Sequence, residues 1–278
     1  MHLKKLFLFF SFFLFVFINI GFYFVESPLG NAQKSRGNKE KGIVVATWNI
    51  GHFANGQEPN SLIGPEQYNS KLKAFRTMIY DSISADLVGI CEYSSVFGKD
   101  KNGRDMLSSN ILFNKYANKN EGAKSWICNS FFYNIKLENI EKLFFNCSKT
   151  FVHKDPRVAL FHYVSADTYI DGERVKVVLV HLVSSQPNLC QLQIEELINK
   201  YKIYNKVIMF GDWNTWNWTK FREEGFCLAN DGSLITFPSK KYALDNIIVK
   251  GLRISEVRVI KTDLSDHYPL VCRISLKD

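Results

Sequence analysis

The chain has 278 residues, of which 46% are hydrophobic and 14% aromatic, so it can bury the core of one large domain or two small ones. Neither an internal repeat nor a second core is evident, which excludes a repeat architecture. The formal charge is +8 at pH 7, and this basic balance favours an anionic partner such as nucleic acid, phospholipid or a phosphorylated metabolite.

The first segment predicts a leader that directs the rest of the chain out of the cytoplasm. Lys4 and Lys5 precede an apolar stretch over residues 6–25, which is long for the core of a signal peptide and just long enough to span a bilayer. A cleaved signal peptide and a retained membrane anchor both fit this stretch. The predicted organisation is a leader over residues 1–32, a polar tether over 33–41 and one folded domain over 42–278.

After the tether, apolar strands alternate with amphipathic helices. The hydrophobic pattern predicts strands that end at residues 49 and 92, and further strands at 158–165, 175–181, 207–210, 245–249, 254–261 and 269–276. Helices are predicted at residues 65–85, 104–116, 189–204 and 218–224. Because strands outnumber helices and many are apolar on both faces, we expect an α/β fold in which two sheets pack together with helices outside.

Two of the six cysteines flank an apparent hairpin formed by residues 126–134 and 140–147. In an oxidising compartment Cys128 and Cys147 would form a disulfide if the strand register places them opposite each other, and the sequence leaves both outcomes open. The remaining four are predicted to act as small buried apolar residues. No cysteine has a CxxC or Cys/His spacing, which argues against structural zinc.

A set of polar residues follows the apolar runs, nearly always where a predicted strand ends. A sheet of buried strands would deliver these side chains to one rim. Any one of them alone is more commonly a turn residue, a cap or a structural histidine, so it is the joint pattern that indicates a site. The members of the set are Asn49, Glu92, His181, Asp212, Asn214, Asp245, Asp266 and His267.

Three members of this set suit a divalent metal. Asn49, Glu92 and Asp266 offer the oxygen donors that Mg²⁺ prefers. Cleavage of a phosphoester requires stabilisation of charge on the phosphoryl group and a nucleophile made from water, and a bound divalent cation supplies both. The sequence therefore indicates metal-assisted phosphoester cleavage.

The other members suit proton transfer and phosphate contact. Asp212 and Asn214 lie two residues apart, so that one can orient or deprotonate water while the other holds a phosphate oxygen, provided that the turn at Gly211 breaks the strand alternation. The two histidines of the set offer donors to developing negative charge. A carboxylate such as Asp245 would fix the tautomer of His267 and raise its basicity.

Six blocks in this order, TWNI, ICEYS, VHLVSS, GDWNTW, ALDNIIV and LSDHYPL, resemble the signature of the endonuclease/exonuclease/phosphatase superfamily, the deoxyribonuclease I-like fold. The resemblance extends from about residue 43 to the end of the chain. It implies an α/β, four-layer sandwich of two packed mixed β-sheets flanked by helices. It also implies a Mg²⁺-dependent site at one end of the two sheets, with Mn²⁺ able to substitute.

The resemblance also implies a role for each residue. Metal binding falls to Asn49, Glu92 and Asp266, with Glu92 the principal ligand. Asp212 would position or activate the attacking water, and Asn214 would bind the phosphate. His181 and His267 would contact the scissile phosphate, with Asp245 paired to His267. Asn129 and Arg157 resemble phosphate-binding residues of the family.

Several departures narrow the resemblance without removing a catalytic group. The usual Thr before the strand-end histidine is Val180, and the usual Asp-Tyr-Ile segment has Asn246 at its centre. The tyrosine that some family nucleases place six residues before the arginine is Phe151, which argues against a role at abasic sites. The Cys-Asp-Arg block of the inositol-polyphosphate 5-phosphatases is missing around Asp245, which argues against that branch.

The sequence thus predicts a monomeric, extracytoplasmic, metal-dependent phosphodiesterase, with nucleic acid the favoured substrate. A phosphatase or phospholipase-type esterase that acts on lipid head groups or sugar phosphates is the alternative, and membrane association through residues 6–25 would favour it. A binding module that has lost catalysis is a third hypothesis, and the match at all eight positions of the set argues against it. Trp213, Trp216 and Trp218 would stack on a base or sugar, lie at a lipid surface, or belong to the core, which is the commonest case.

Overall fold

The computed structural model describes residues 41–51, 70, 73–92, 115–118 (backbone only), 129–151 and 161–277. Residues from Lys41 to Asp278 form one compact unit. Its twelve strands in the described ranges are β1 Ile43–Asn49, β2 Leu87–Cys91, β3 Lys115–Asn118, β4 Ser130–Tyr133, β5 Glu138–Phe144, β6 His162–Ile170, β7 Glu173–His181, β8 Val207–Asp212, β9 Cys227–Leu228, β10 Asp245–Lys250, β11 Leu252–Val259 and β12 Leu270–Leu276.

Helices are few in these ranges. The α-helices with defined bounds are α1, Pro187–Tyr201, and α2, Thr219–Glu223. Residues 73–77 are helical and continue into a π-helix at Met78–Ile83, which Ser84 ends with a φ of 47°. Short 3₁₀ turns occupy Cys147–Thr150 and Pro238–Lys240. Among the helices of the described ranges, none is both long and apolar enough to cross a bilayer, and residues 6–25 lie outside those ranges.

The strands form two six-stranded mixed sheets. The first sheet has the order β11-β12-β1-β2-β4-β3, and the second has the order β5-β6-β7-β8-β10-β9. The pairs β1/β2 and β7/β8 are parallel, whereas the other paired strands are antiparallel. The predicted α/β architecture of two packed mixed sheets with outer helices is therefore confirmed.

The apolar side chains between the sheets explain why the two sheets pack so closely. Phe131 of the first sheet stacks on Phe210 of the second, with 5.9 Å between ring centroids. A Cβ at Gly89 would lie 2.4 Å from a ring carbon of Phe210 and 2.6 Å from a methyl carbon of Leu179, so only glycine fits there. Helices cover the outer faces, where α1 packs on the second sheet and the helix that contains Phe75 packs on the first. The result is four layers.

Most of the predicted elements are confirmed with ends shifted by a few residues, but the hairpin is wrong. β4 pairs with β2 and β3 in the first sheet, whereas β5 pairs with β6 in the second sheet. The four residues between β4 and β5 thus carry the chain from one sheet to the other, although their brevity suggested a hairpin turn. Cys147 is a free thiol, and Cys128 lies outside the described residues.

The helix predicted over residues 104–116 is also corrected at its end. Lys115 and Tyr116 belong to strand β3, which pairs with β4 at the edge of the first sheet. Residues 104–114 lie outside the described ranges. The helical pattern at the end of that prediction was overridden by pairing with the apolar strand β4, a contact that local spacing does not encode.

An ion-pair cluster around the buried Asp167 of β6 links β5, β6 and β7. Asp167 accepts hydrogen bonds from Arg174 and Asn139 and pairs with Lys176 at 2.6 Å. Burial alone would raise the pKa of Asp167, but these partners lower it to about 2. Because the folded pKa lies below the ordinary value, the stabilisation is present above pH 4 and is lost as the pH falls towards 2.

We therefore expect Asp167→Asn to lower the free energy of unfolding by about 2 kcal/mol at pH 7. The loss should shrink as the pH is lowered from 4 to 2, measured by urea unfolding. Glu173→Gln is the matched control, because it breaks the exposed pair with Lys206 and should cost less than about 0.5 kcal/mol. Equal losses in the two variants at pH 7 would contradict this account of the Asp167 cluster.

Candidate active site

Strand ends from both sheets meet at one rim. In the first sheet, Asn49 at the end of β1 lies beside Cys91 at the end of β2. In the second sheet, His181 at the end of β7 lies beside Asp212 at the end of β8, which in turn pairs with Asp245 at the start of β10. The parallel pairs bring two carboxyl ends together, and the antiparallel pair adds an amino end. The predicted convergence of the polar strand ends is thus observed.

Asn49 joins the two sheets at this rim. Its amide nitrogen donates to Glu92 Oε1 at 3.1 Å and to Asp212 Oδ2 at 2.9 Å, and its Oδ1 accepts the backbone N–H of Gly51. Glu92, just beyond β2, has a φ of 55°, a left-handed conformation that few residues other than glycine adopt readily. Such a backbone is tolerated where surrounding contacts fix it, and it is commonest at functional sites.

Asp212 lies at the centre of the polar groups. Its Oδ2 atom lies 3.7 Å from His181 Nε2 and 3.8 Å from His267 Nε2. Both separations exceed a hydrogen bond, so each Nε2 remains available to a substrate oxygen. His181 Nε2 is also 3.7 Å from Glu92 Oε1. The carboxylate of Asp212 itself is buried, with about 1% of the residue exposed.

Asp245 bonds the Nδ1 side of the His267 ring. The distance between His267 Nδ1 and Asp245 Oδ2 is 2.7 Å, and both side chains are buried. Burial alone would lower the pKa of His267, but the charges of Asp245 and Asp212 and the hydrogen bond to Asp245 raise it to about 10. At neutral pH the imidazole is therefore protonated, with Nε2 3.8 Å from Asp212 Oδ2. The predicted pairing of these two residues is present.

The loop before β12 anchors His267 and Asp266 to the first sheet. Ser265 Oγ lies 2.7 Å from the carbonyl oxygen of Asn49 and 3.3 Å from Asp266 Oδ1. Trp48 Nε1 donates to the carbonyl oxygen of His267 at 3.0 Å. These bonds place the half-buried carboxyl group of Asp266 beside the end of β1, where Asn49 and Glu92 also lie.

In the turn after β8, Asn214, which is predicted to bind the phosphate, makes hydrogen bonds within the protein. Gly211 has a φ of 145°, and Asn214 has a φ of 49°, so the regular alternation is broken as expected. However, Asn214 Nδ2 donates to the carbonyl oxygen of Leu182 at 2.8 Å, and its backbone N–H donates to Asp212 Oδ1 at 3.0 Å. In this structure Asn214 orients Asp212 and ties β7 to β8.

Asn129 precedes β4 and lies at the same rim, because β4 runs antiparallel to β2. Its amide nitrogen donates to the carbonyl oxygen of His162 at 3.0 Å and so bridges the two sheets a second time. Asn129 is buried, with 1% exposed. The predicted phosphate-binding Arg157 lies outside the described residues.

Several residues that contact the predicted site residues were not predicted from the sequence. Thr236 Oγ1 accepts the backbone N–H of Asp245, and the ring of Phe237 lies 4.7 Å from that of His267. The ring of Phe161 makes an edge contact with His181. These residues lie in loops or at a strand start with no polar pattern, so no local signal marks them. The three tryptophans near Asp212 differ in exposure, because Trp213 and Trp218 are buried in the core and Trp216 is exposed.

Sequence comparisons with known proteins find only a partial match. No family model matches the sequence. Two UPF0294 proteins of Vibrio vulnificus, from strains YJ016 and CMCP6, are 29% identical over 117 residues, a match that covers 38% of this chain and 41% of each relative. The match therefore spans about two fifths of the length of these curated relatives.

The similar solved structures extend over nearly the whole described chain. TDP2 from D. rerio complexed with a single-strand DNA product has a TM-score of 0.64 at 14% identity, covering 85% of this chain and 100% of that one. An endonuclease/exonuclease/phosphatase from Bacteroides vulgatus has a TM-score of 0.64 at 15% identity, covering 86% and 100%. One from Beutenbergia cavernae has a TM-score of 0.63 at 14% identity, covering 85% and 72%. The chain has the endonuclease/exonuclease/phosphatase fold.

The rim of this endonuclease/exonuclease/phosphatase fold contains groups that could hold a metal ion. Asp212, Asp245 and His267 each offer a ligand atom within 4.8 Å of the others. However, His267 Nδ1 already bonds Asp245, so this nitrogen is not available to a metal ion. The oxygen donors on the first-sheet side, from Asn49, Glu92 and Asp266, better suit a hard divalent cation. Four carboxyl groups share the rim with two histidines, and a cation would offset their mutual repulsion.

Proposed function

We propose that this protein is a divalent-metal-dependent phosphodiesterase that cleaves nucleic acid outside the cytoplasm. The observation that carries the proposal is the arrangement around Asp212, whose Oδ2 lies 2.9 Å from Asn49 Nδ2 and within 3.8 Å of Nε2 of both His181 and His267. One buried carboxylate faced by two imidazole nitrogens suits water activation beside a phosphate. The fold, the basic charge and the predicted leader support the substrate and the location.

The chain's own residues divide the chemistry between them. Asp212 is fixed by hydrogen bonds at both oxygens, one from Asn214 N–H and one from Asn49 Nδ2, so it can accept a proton from water without turning. His267, protonated and held by Asp245, donates Nε2–H to a phosphate oxygen as negative charge develops. His181 presents its Nε2 from the neighbouring strand.

Metal binding falls to Asn49, Glu92 and Asp266. A divalent cation bound there would supply positive charge to the phosphate oxygens and lower the pKa of the attacking water. The side chain of Glu92 is 24% exposed, against 2% for Asp212 and 0% for Asp245. It is therefore suited to contact a cation at the mouth of the rim.

The test is nicking of supercoiled plasmid by the purified protein with Mg²⁺, with EDTA, and by the His181→Ala variant with Mg²⁺. We expect nicking by the unmodified protein with Mg²⁺, and at least about a hundred-fold slower nicking by His181→Ala. Tyr204→Ala is the matched control, because Tyr204 is an exposed ring that precedes β8 at the end of the sheet opposite to Asp212.

The outcomes separate the alternatives. Intact plasmid and intact RNA with both proteins would overturn the nuclease proposal. If the same preparation released phosphate from sugar phosphates or cleaved phospholipid in a His181-dependent manner, the esterase alternative would replace it. Binding without any His181-dependent cleavage would favour the binding module.

A further inference from the structure

Two aromatic rings are exposed together beside the candidate active site. Trp216 is 65% exposed and Tyr242 is 40% exposed, and their ring centroids lie 5.0 Å apart with an interplanar angle of 34°. The neighbouring Trp213 and Trp218 are buried in the core, so the exposure of Trp216 is not a general property of this segment. Exposed apolar side chains that contact each other, rather than single ones, are typical of a binding surface.

The aromatic pair lies beyond the end of the β8/β10 ladder that carries Asp212 and Asp245. Asp212 of β8 pairs with Asp245 of β10, and the next contact outward is the bond from Trp213 N–H to the carbonyl oxygen of Leu244, at 2.9 Å. Trp216 follows Asp212 by four residues, so their Cα atoms are at most about 14 Å apart. The two rings therefore lie just beyond the end of the strands that present the acids.

The segment that carries Tyr242 is fixed in place by buried hydrogen bonds. Asn246 Nδ2 donates to the carbonyl oxygen of Asn230 at 2.7 Å, and Asn230 N–H donates to Asn246 Oδ1 at 3.0 Å. Tyr242 exchanges backbone hydrogen bonds with Phe237, whose ring contacts His267. Such pre-organisation reduces the entropy lost when a ligand stacks on the rings.

The charges next to the pair match an anionic strand. Lys240 and Lys241 directly precede Tyr242, and both are exposed. An aromatic face beside lysines is the combination that binds single-stranded nucleic acid, because bases stack on the rings while the cations contact phosphates. A membrane would require a wider apolar surface than this, since only Ile235 adds a large exposed hydrophobic side chain in the same loop.

We infer that Trp216 and Tyr242 form a stacking platform for a base of single-stranded nucleic acid whose phosphodiester lies against Asp212 and His181. The inference rests on the proposed function and specifies its substrate. A duplex keeps its bases stacked inside, so a platform that accepts a base favours unpaired strands or frayed ends. A sugar phosphate offers a ring but not the flat aromatic face of a base, so it would use the pair less fully.

The experiment compares two radiolabelled oligomers with the same phosphodiester backbone, an oligothymidylate and an abasic oligomer. Binding is measured by filter retention on the full-length His181→Ala protein, in which turnover is slowed at least about a hundred-fold, with and without Trp216→Ala. We expect Trp216→Ala to weaken oligothymidylate binding about ten-fold. Because the abasic strand offers no base, the ratio of the two affinities should fall towards one. Trp216→Phe should restore most of the preference.

Tyr242→Ala has a matched control in Tyr169→Ala. Tyr169 is equally exposed, at 42%, but it lies seven residues along β6 from His162, at the end of the sheet away from the site. The control should keep the full preference for the base-bearing strand. KM values for both oligomers on the catalytically intact background should follow the same ratios, with kcat changed less.

Each outcome can be assigned to one proposal. An unchanged ratio of affinities in Trp216→Ala would overturn the stacking platform even if the protein cleaves both oligomers. A Trp216-dependent base preference with no cleavage by the His181-containing protein would support the platform and overturn the proposed activity. Trp216-dependent sedimentation with anionic phospholipid vesicles, together with equal binding of the two oligomers, would replace the strand with a membrane surface.

Discussion

Asp245→Asn is expected to reduce phosphodiester cleavage at pH 7 about a thousand-fold while the protein remains folded. The charge of Asp245, 2.7 Å from Nδ1 of His267, is the nearest of the charges that keep this buried imidazole protonated, with a pKa of about 10. An amide keeps the shape but removes that charge. The pKa of His267 should then fall, because burial disfavours the charged ring, and Nε2 should lose its proton at neutral pH.

The loss of rate in Asp245→Asn should depend on pH. In the unmodified protein His267 stays protonated at every pH below about 10, so its contribution should be constant from pH 6 to 9. In Asp245→Asn the residual rate should increase as the pH is lowered. Rates of plasmid nicking from pH 5.5 to 9 would show this, with Asp171→Asn, at the exposed turn between β6 and β7, as the control. A pH-independent loss would contradict the assigned role of Asp245.

Gly211→Ala should destabilise the fold by about 3 kcal/mol or more. Gly211 has a φ of 145°, and a Cβ there would lie 1.9 Å from the carbonyl oxygen of Val180. That oxygen belongs to the backbone of the parallel neighbour β7, and it cannot move without disturbing the β7/β8 ladder next to His181 and Asp212. The cost therefore combines a backbone clash with an unfavourable φ.

The control isolates the clash from the backbone conformation. Gly172 also has a positive φ, of 86°, but a Cβ there would meet nothing within 4 Å. Gly172→Ala should therefore cost only about 1 kcal/mol. Urea unfolding at pH 7 measures both variants, and equal losses would mean that β7 can move aside. If Gly211→Ala proves too unstable to purify, the yield of soluble protein relative to Gly172→Ala gives the same comparison.

The polar strand ends were predictable because a buried strand must stop where the chain becomes polar. Asn49, His181 and Asp212 each end a mainly apolar strand. Parallel pairing of β7 with β8 brings His181 and Asp212 to one edge, whereas Asn49 reaches them because the two sheets pack together. The chemistry of a catalytic histidine requires only some carboxylate, and the pairing of Asp245 with His267 was implied by the family resemblance. The role of each as a catalyst remains a prediction.

The sequence could not reveal which strands become neighbours, nor the contacts that depend on this. β4 and β5 are separated by only four residues but belong to different sheets, because the apolar Phe131 and Phe132 of β4 demand burial on both faces while β5 is a half-exposed edge strand. Similarly, Ser265 and Thr236 act on residues far away in the chain. Local periodicity carries no information about such contacts.

The hydrogen bond between Asn49 and Asp212 has a consequence for when the protein can act. Asn49 belongs to β1, which pairs with β2 and also with β12, more than 200 residues later in the chain. The two sheets contribute separate halves of the rim. A nascent chain that has made only the first strands can pair β1 with β2 but lacks β8, β12 and His267. The full set of polar side chains at the rim can therefore assemble only after His267 has been made and both sheets have docked.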